Sequence, residues 1–174
     1  LHRQILYSSE DVGLEKVEVA SQRLRTLNPE VNITTYPVRL QKSNIVEIIN
    51  LYGYIFDGTD NFETRYLVND VCTILAKPLI FAAVSDFEGQ IAVFNLADEK
   101  GVKTNYRDIF PKEPNSGEIL NCAENGILGV VPGIIGTMAA AEITKVITGI
   151  GKPLINKLLH YNVLNHSQYQ ANII

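Results

Sequence analysis

The sequence predicts an α/β fold, a doubly wound and mostly parallel sheet with an antiparallel extension. Two observations carry this. Apolar, β-rich runs alternate with segments of helical spacing from Val12 to Ala76, and strands that alternate with helices pair in parallel. The apolar runs Leu79–Val84 and Gln90–Leu96 are then joined by a tight turn at Phe87-Glu88-Gly89, a connection too short for anything but an antiparallel hairpin.

The 174 residues suffice for one domain with a real core, taken as residues 1–174. With 46% hydrophobic and 20% charged residues the composition is that of a globular chain. A net charge of -4 provides no basic field for nucleic acid. No apolar run reads as long enough to span a bilayer; the richest, Gly126–Met138, is interrupted by Pro132 and by glycines. Cys72 and Cys122 make no disulfide framework, so a reducing cytoplasm is expected. His2, His160 and His166 show no metal-ligand spacing.

In chain order, Leu1–Tyr7 is mixed and Ser8–Asp11 offers capping residues. Apolar positions at Val12, Val17, Ala20, Leu24 and Leu27 predict an amphipathic helix ending before Asn28-Pro29, with Lys16 near its start. Val31–Tyr36 alternates and predicts a strand. Ser43–Leu51 predicts a helix, Tyr54–Phe56 a buried strand and Phe62–Ala76 a helix. Cys72, midway along that helix, is assigned to the core. Asp98–Glu118, polar and rich in Pro and Gly, predicts a long loop. Gly129–Thr148 is apolar and rich in small residues, predicting a helix buried nearly all round. Leu154–Val163 and Tyr169–Ile174 close the chain as strands.

The chemistry concentrates between Tyr54 and Asn69. Asp57-Gly58-Thr59-Asp60-Asn61 places two carboxylates where a strand hands over to a helix. In an open parallel sheet that edge binds ligands, and carboxylates there suit a hard cation that holds phosphates. The same residues also fit a plain helix cap at Asp60 or Asn61.

Several separate motifs resemble the MoeB/ThiF/HesA family, adenylating enzymes related to the ubiquitin-activating enzyme. They are Leu1-His2-Arg3-Gln4, Val12-Gly13-x-x-Lys16-Val17-Glu18 and Leu27-Asn28-Pro29, then Asp57-Gly58-Thr59-Asp60-Asn61-x-x-x-Arg65-x-x-x-Asn69. Glu88-Gly89-Gln90 and Cys122-Ala123-Glu124-x-Gly126-x-x-Gly129-x-x-x-Gly133-x-x-Gly136 complete the set. The resemblance spans nearly the whole chain and is closest to MoeB-like sulfur-carrier adenylyltransferases. It implies a Rossmann-like sheet, ATP with Mg²⁺, and a homodimer. It also implies a β-grasp, ubiquitin-like sulfur carrier ending in Gly-Gly, whose carboxylate receives AMP. By position, Arg3 and Lys16 would contact phosphates and Asp60 would hold Mg²⁺. Gln4, Asn61 and Arg65 would belong to the nucleotide site. Cys122 matches a cysteine that some members use for a thioester or acyl-disulfide; a structural role stays equally open.

Two departures accompany the resemblance. The family's glycine-rich phosphate turn, ribose-binding acid and N-terminal arginine would precede Leu1, so the sheet is expected to be truncated at its N-terminal end. A chain of residues 1–174 is expected to bind ATP weakly and to be inactive by itself. The family's first zinc-binding CxxC pair would fall at Asn105-Tyr106-Arg107-Asp108, where neither cysteine is present. No zinc is expected, and the surrounding loop is expected to be mobile. Two further readings remain open at this point: a tRNA-modifying ATP-dependent dehydratase of the superfamily, and a non-catalytic binding subunit.

Overall fold

A hairpin lies at the centre of the sheet. β2 (Leu79–Ser85) and β3 (Glu88–Phe94) pair antiparallel, with Ser85 opposite Glu88 and Leu79 opposite Phe94. β1 (Ile55–Asp57) joins β2 in parallel, Asp57 beside Phe81. β4 (Lys157–Asn162) and β5 (Ser167–Asn172) extend the other side antiparallel, giving the order β1-β2-β3-β4-β5. The computed structural model describes residues 2–114 and 126–174. Cys122 lies outside them.

The chain separates into two compact units, Leu1–Leu40 and Gln41–Ile174. The first holds a 3₁₀ turn, Ser9–Asp11, and helix α1, Lys16–Leu27. Asp11 fastens the turn. Its Oδ2 accepts from Ser8 N at 2.6 Å, from Ser8 Oγ at 2.8 Å and from Arg23 Nη2 at 2.7 Å. The Ser8 backbone donor leads the effects that hold the Asp11 carboxyl below its ordinary range. α1 starts four residues later than its spacing suggested, because Gly13 at φ 92 breaks the helix before Lys16. The strand expected over Val31–Tyr36 does not form. An alternating segment becomes a strand only with a ladder partner, and the first unit contains no strand among its described residues. Side chains tether this stretch instead: Arg25 Nη2 donates to Ile33 O at 2.6 Å and Thr35 Oγ1 to Glu18 Oε1 at 2.7 Å.

The second unit carries the sheet and four helices: α2 (Ile45–Asn50), α3 (Phe62–Ile74), α4 (Tyr106–Ile109) and α5 (Val130–Thr148). Alternation along the strands sorts the core into two layers. Ile80, Ala82, Ile91, Val93 and Leu159 pack on Val131, Ile135 and Ala139 of α5. Phe81 and Phe94 face the other way. There Tyr106 stacks 5.2 Å from Phe81, and Tyr66 meets Tyr106 edge-on at 5.0 Å. Cys72 is fully buried in α3, as expected. Burial pushes its thiol up to about 12.

The α/β class with an antiparallel extension holds. Within the described residues the antiparallel pairings outnumber the parallel one by three to one. Helix α5 departs from its expected all-round burial. Val131, Ile135, Ala139 and Glu142 form one buried stripe, while Val130 and Ile147 on other faces are 56% and 54% exposed. Composition counted its apolar residues but not which side had a neighbour. By length and composition α5 does reach the threshold for crossing a membrane. It instead lays its buried stripe on the sheet and fixes Glu142 there by an ion pair to Lys145 and a bond from Leu154 N at 2.9 Å. The helix comes close to the sheet backbone at Gly89 of β3, where a Cβ would lie within 2.2 Å of Ile135. The helix's own Gly133 and Gly136 have open space around them.

Candidate functional site

The turn between β1 and α3 forms as its residues predicted, and each of them takes a different role. Asn61 is the cap of α3: its Oδ1 accepts from Thr64 N at 2.9 Å. That leaves Asp60 exposed, its carboxylate in contact only with Asn61 Nδ2 at 3.5 Å among the described residues. Asp57 turns inward. Its Oδ1 accepts from Thr59 N at 2.9 Å and from Thr59 Oγ1 at 2.7 Å. A metal-binding role for Asp57 is therefore not supported, since it is buried and bonded within the turn.

Arg65, one turn into α3, reaches back to the same segment. Its Nη2 donates to Thr59 O at 2.5 Å and its Nε stands 3.8 Å from Asp57 Oδ2. The guanidinium lies 5.1 Å from the Phe81 ring and 5.7 Å from that of Phe62. A cavity of about 190 Å³ opens beside it, bounded by Gly58, Thr59, Asp60, Ala82, Pro132 and Gly136 among others. A second, of about 220 Å³, lies against Phe81, Gln90, Tyr106 and His160. Phe62, Arg65, Ala83 and Val84 line both. The two cavities thus share Arg65 in their walls, and the first of them reaches Asp60.

The other predicted residues belong to the first unit and are placed within it. Gln4 opens a turn closed by Tyr7 N donating to Gln4 O at 3.0 Å, and Arg3 directly precedes it. Lys16 opens α1 with its Nζ 6.0 Å over the Tyr7 ring, and Tyr7 OH donates to Lys16 O at 3.2 Å. Arg3 and Lys16 are both exposed. Cys122 was named on sequence grounds and lies outside the described residues.

The segment expected to be a mobile loop is held over its described part. Asp98 Oδ1 accepts from Lys100 N and Val102 N, each at 2.9 Å. At the positions of the implied CxxC pair, Asp108 Oδ2 accepts from Asn105 N at 2.8 Å and from Asn105 Nδ2 at 2.9 Å. Asn105 Oδ1 accepts from Arg107 N at 2.9 Å. An amide and a carboxylate already bonded to each other do not fit zinc, which takes thiolates in closed sites. Asn69 Oδ1 accepts from Tyr106 N at 2.8 Å, and Tyr66 OH meets Phe110 O and Lys112 O at 2.9 and 2.8 Å. Arg107 clamps Asp70 through two bonds of 2.7 Å. The bond from Arg107 holds the Asp70 carboxyl below its ordinary range. Sequence reasoning missed this α3–α4 contact; the polar residues at Asn69, Asp70 and Asn105–Asp108 were its signal.

A mixed sheet whose parallel edge carries an exposed carboxylate in its first strand-to-helix turn defines an α/β domain of the Rossmann-like kind. The crystal structure of E. coli MccB with ATP has this fold, at TM-score 0.77 and 20% identity over 99% of this chain and 52% of that one. The sequence model of the ThiF family matches residues 1–173, and the chain belongs to that family. It is 50% identical over 170 residues to a sulfur carrier protein adenylyltransferase of Thermus thermophilus, covering 96% of this chain and 62% of the relative. It is 39% identical over 167 residues to a probable adenylyltransferase/sulfurtransferase MoeZ of Mycobacterium tuberculosis, covering 96% of this chain and 43% of that protein. The chain thus spans between two fifths and two thirds of the length of these relatives.

Proposed function

We propose that the protein adenylylates the C-terminal carboxylate of a ubiquitin-like sulfur carrier, using ATP. The observation that carries this is the 50% identity to a sulfur carrier adenylyltransferase across 170 residues, over the stretch that contains Asp60. In the reaction a carboxylate oxygen of the carrier attacks the α-phosphorus of ATP. The bond from that phosphorus to the bridging oxygen breaks, pyrophosphate leaves, and the carrier's carboxyl ends as a mixed anhydride with AMP. No protein nucleophile is required. The need is for fixed positive charge where negative charge gathers.

Arg3 and Lys16 are the side chains assigned to the phosphates, with Gln4 and Asn61 beside the nucleotide. Asp60 is assigned to Mg²⁺. The fit is reasonable: an exposed carboxylate at a cavity rim suits an ion that takes one or two carboxylates plus phosphate oxygens. Bound there, Mg²⁺ would neutralise phosphate charge. The cavities beside Arg65 and Asp60 are proposed as the place where the carrier's Gly-Gly tail meets ATP. The family match covers residues 1–173. A homodimer and a cytoplasmic location are part of the same proposal. Cys122 is proposed as the residue whose thiolate takes the activated carrier's acyl group as a thioester, with AMP as the leaving group.

The test is ATP–pyrophosphate exchange by the full-length protein with Mg²⁺ and a panel of Gly-Gly-ended carriers. Exchange with one carrier, lost in Asp60→Ala, is the expected result. No exchange with any carrier by the folded protein overturns the proposal and favours a non-catalytic subunit.

A further inference from the structure

Asp57 is a carboxylate only 2% exposed, and the reaction above gives it no role. Its geometry is unusual. One oxygen takes two bonds from Thr59, while Oδ2 has no hydrogen-bond partner among the described residues. Arg65 Nε, 3.8 Å away, is likewise buried and unbonded. A buried charged atom left without a bond is costly. A turn built for stability alone would close that gap, as Arg107 and Asp70 do at 2.7 Å.

We infer that Asp57, Thr59 and Arg65 form a latch that positions Asp60 for adenylyl transfer, and that none of the three is a contact to the nucleotide. The inference rests on the proposed function. Thr59 is gripped on both sides: its N–H and hydroxyl by Asp57, its carbonyl by Arg65. Asp60 follows it directly in the chain. On the far side, Asn61 is fixed by capping α3. The backbone of Asp60 is therefore held between two anchored residues, while its carboxylate stays exposed at the cavity rim. Arg65 is the link to the rest of the unit, because it belongs to α3 and lies against Phe81 of β2. A displacement of the turn by about 1 Å is enough to cost on the order of 100-fold in a positioned reaction.

The test uses the full-length protein with four variants: Arg65→Gln, Arg65→Lys, Asp57→Asn and Thr59→Val. Arg65→Gln and Asp57→Asn are expected to lower kcat for ATP–pyrophosphate exchange about 10- to 100-fold, while KM for ATP changes less than about threefold. Arg65→Lys, which keeps the charge and loses the fork, should recover part of the rate. Thr59→Val removes one bond and leaves both charges in place, so it stays folded even if Arg65→Gln does not, and it should lose about fivefold. Amide hydrogen exchange provides a readout independent of activity: residues 58–61 should exchange faster in Arg65→Gln and Thr59→Val, with α5 unchanged. A folded Arg65→Gln or Thr59→Val protein with kcat within about twofold of the parent, or with unaltered exchange at 58–61, overturns the latch. If the parent itself shows no pyrophosphate exchange, the proposed function fails and the latch for adenylyl transfer fails with it; with pyrophosphate exchange intact in the parent, unaltered amide exchange at 58–61 overturns the latch alone.

Discussion

Helix α3 supplies one member, Arg65 and Asp70, to each of two aspartate–arginine pairs that differ in almost every respect. At its start, Asp57 and Arg65 are buried, with side chains 1% and 11% exposed, yet their closest charged atoms stand 3.8 Å apart. Two turns on, Asp70 and Arg107 are about 40% exposed and joined by two bonds of 2.7 Å. Geometry alone would rank the second pair as the stronger. Burial reverses the ranking. An exposed pair exchanges water for a partner at small net gain, whereas removing one member of a buried pair leaves a charge with no solvent to receive it. The tight pair therefore fastens a loop, and the loose pair lies beneath the turn that carries the exposed Asp60.

The largest expected effect breaks this comparison at its buried end. Asp57→Ala should destabilise the protein by about 3–5 kcal/mol in chemical denaturation, whereas Asp70→Ala should cost no more than about 1 kcal/mol. Equal costs would mean that burial does not separate the pairs. Next, Gly89→Ala moves the cavity wall and leaves both charge pairs alone. A Cβ there meets Ile135 at 2.2 Å, so a loss of about 1–3 kcal/mol is expected, with little effect if α5 can shift freely. A smaller effect is in the acid limb of stability. The Asp70 carboxyl titrates lower in the folded protein than in the unfolded chain, where it sits near 3.9. Its contribution is thus fully present above that value and disappears as pH falls through the lower folded value. Asp70→Asn should flatten this limb below about pH 4. Smallest of all, Cys72, a buried thiol pushed up to about 12, should resist alkylation at neutral pH in the native protein. Its labelling should speed up in Asp57→Ala and stay slow in Asp70→Asn; faster labelling in both would mean the two ends of α3 are equally loosened.

Much of this was legible in the chain. The hairpin from Leu79 to Phe94 followed from a short turn between two β-rich runs, and α3 from helical spacing behind a capping residue. These are local facts, settled within about a dozen residues. The site was legible as a cluster and not as a set of roles. Asp57, Asp60 and Asn61 all read as ligand or cap. Only their orientation assigned the cap to Asn61, the buried bond to Asp57 and the exposed position to Asp60. Arg65, placed by motif among the nucleotide-binding residues, reaches back to hold Thr59.

The sequence by itself determined the order of the strands and longer helices from Ser43 onward, the family, and the stretch where chemistry gathers, because propensity, capping and motif spacing act between near neighbours. The tertiary structure alone decided the rest. Val31–Tyr36 has strand character and no ladder, since pairing needs a second strand and its own residues cannot supply one. α5 has apolar residues on every side and buries one stripe, since burial depends on where the sheet lies. Asp57 and Asp70 are alike in sequence and opposite in consequence, since the cost of a charge is set by the solvent that the rest of the fold leaves around it.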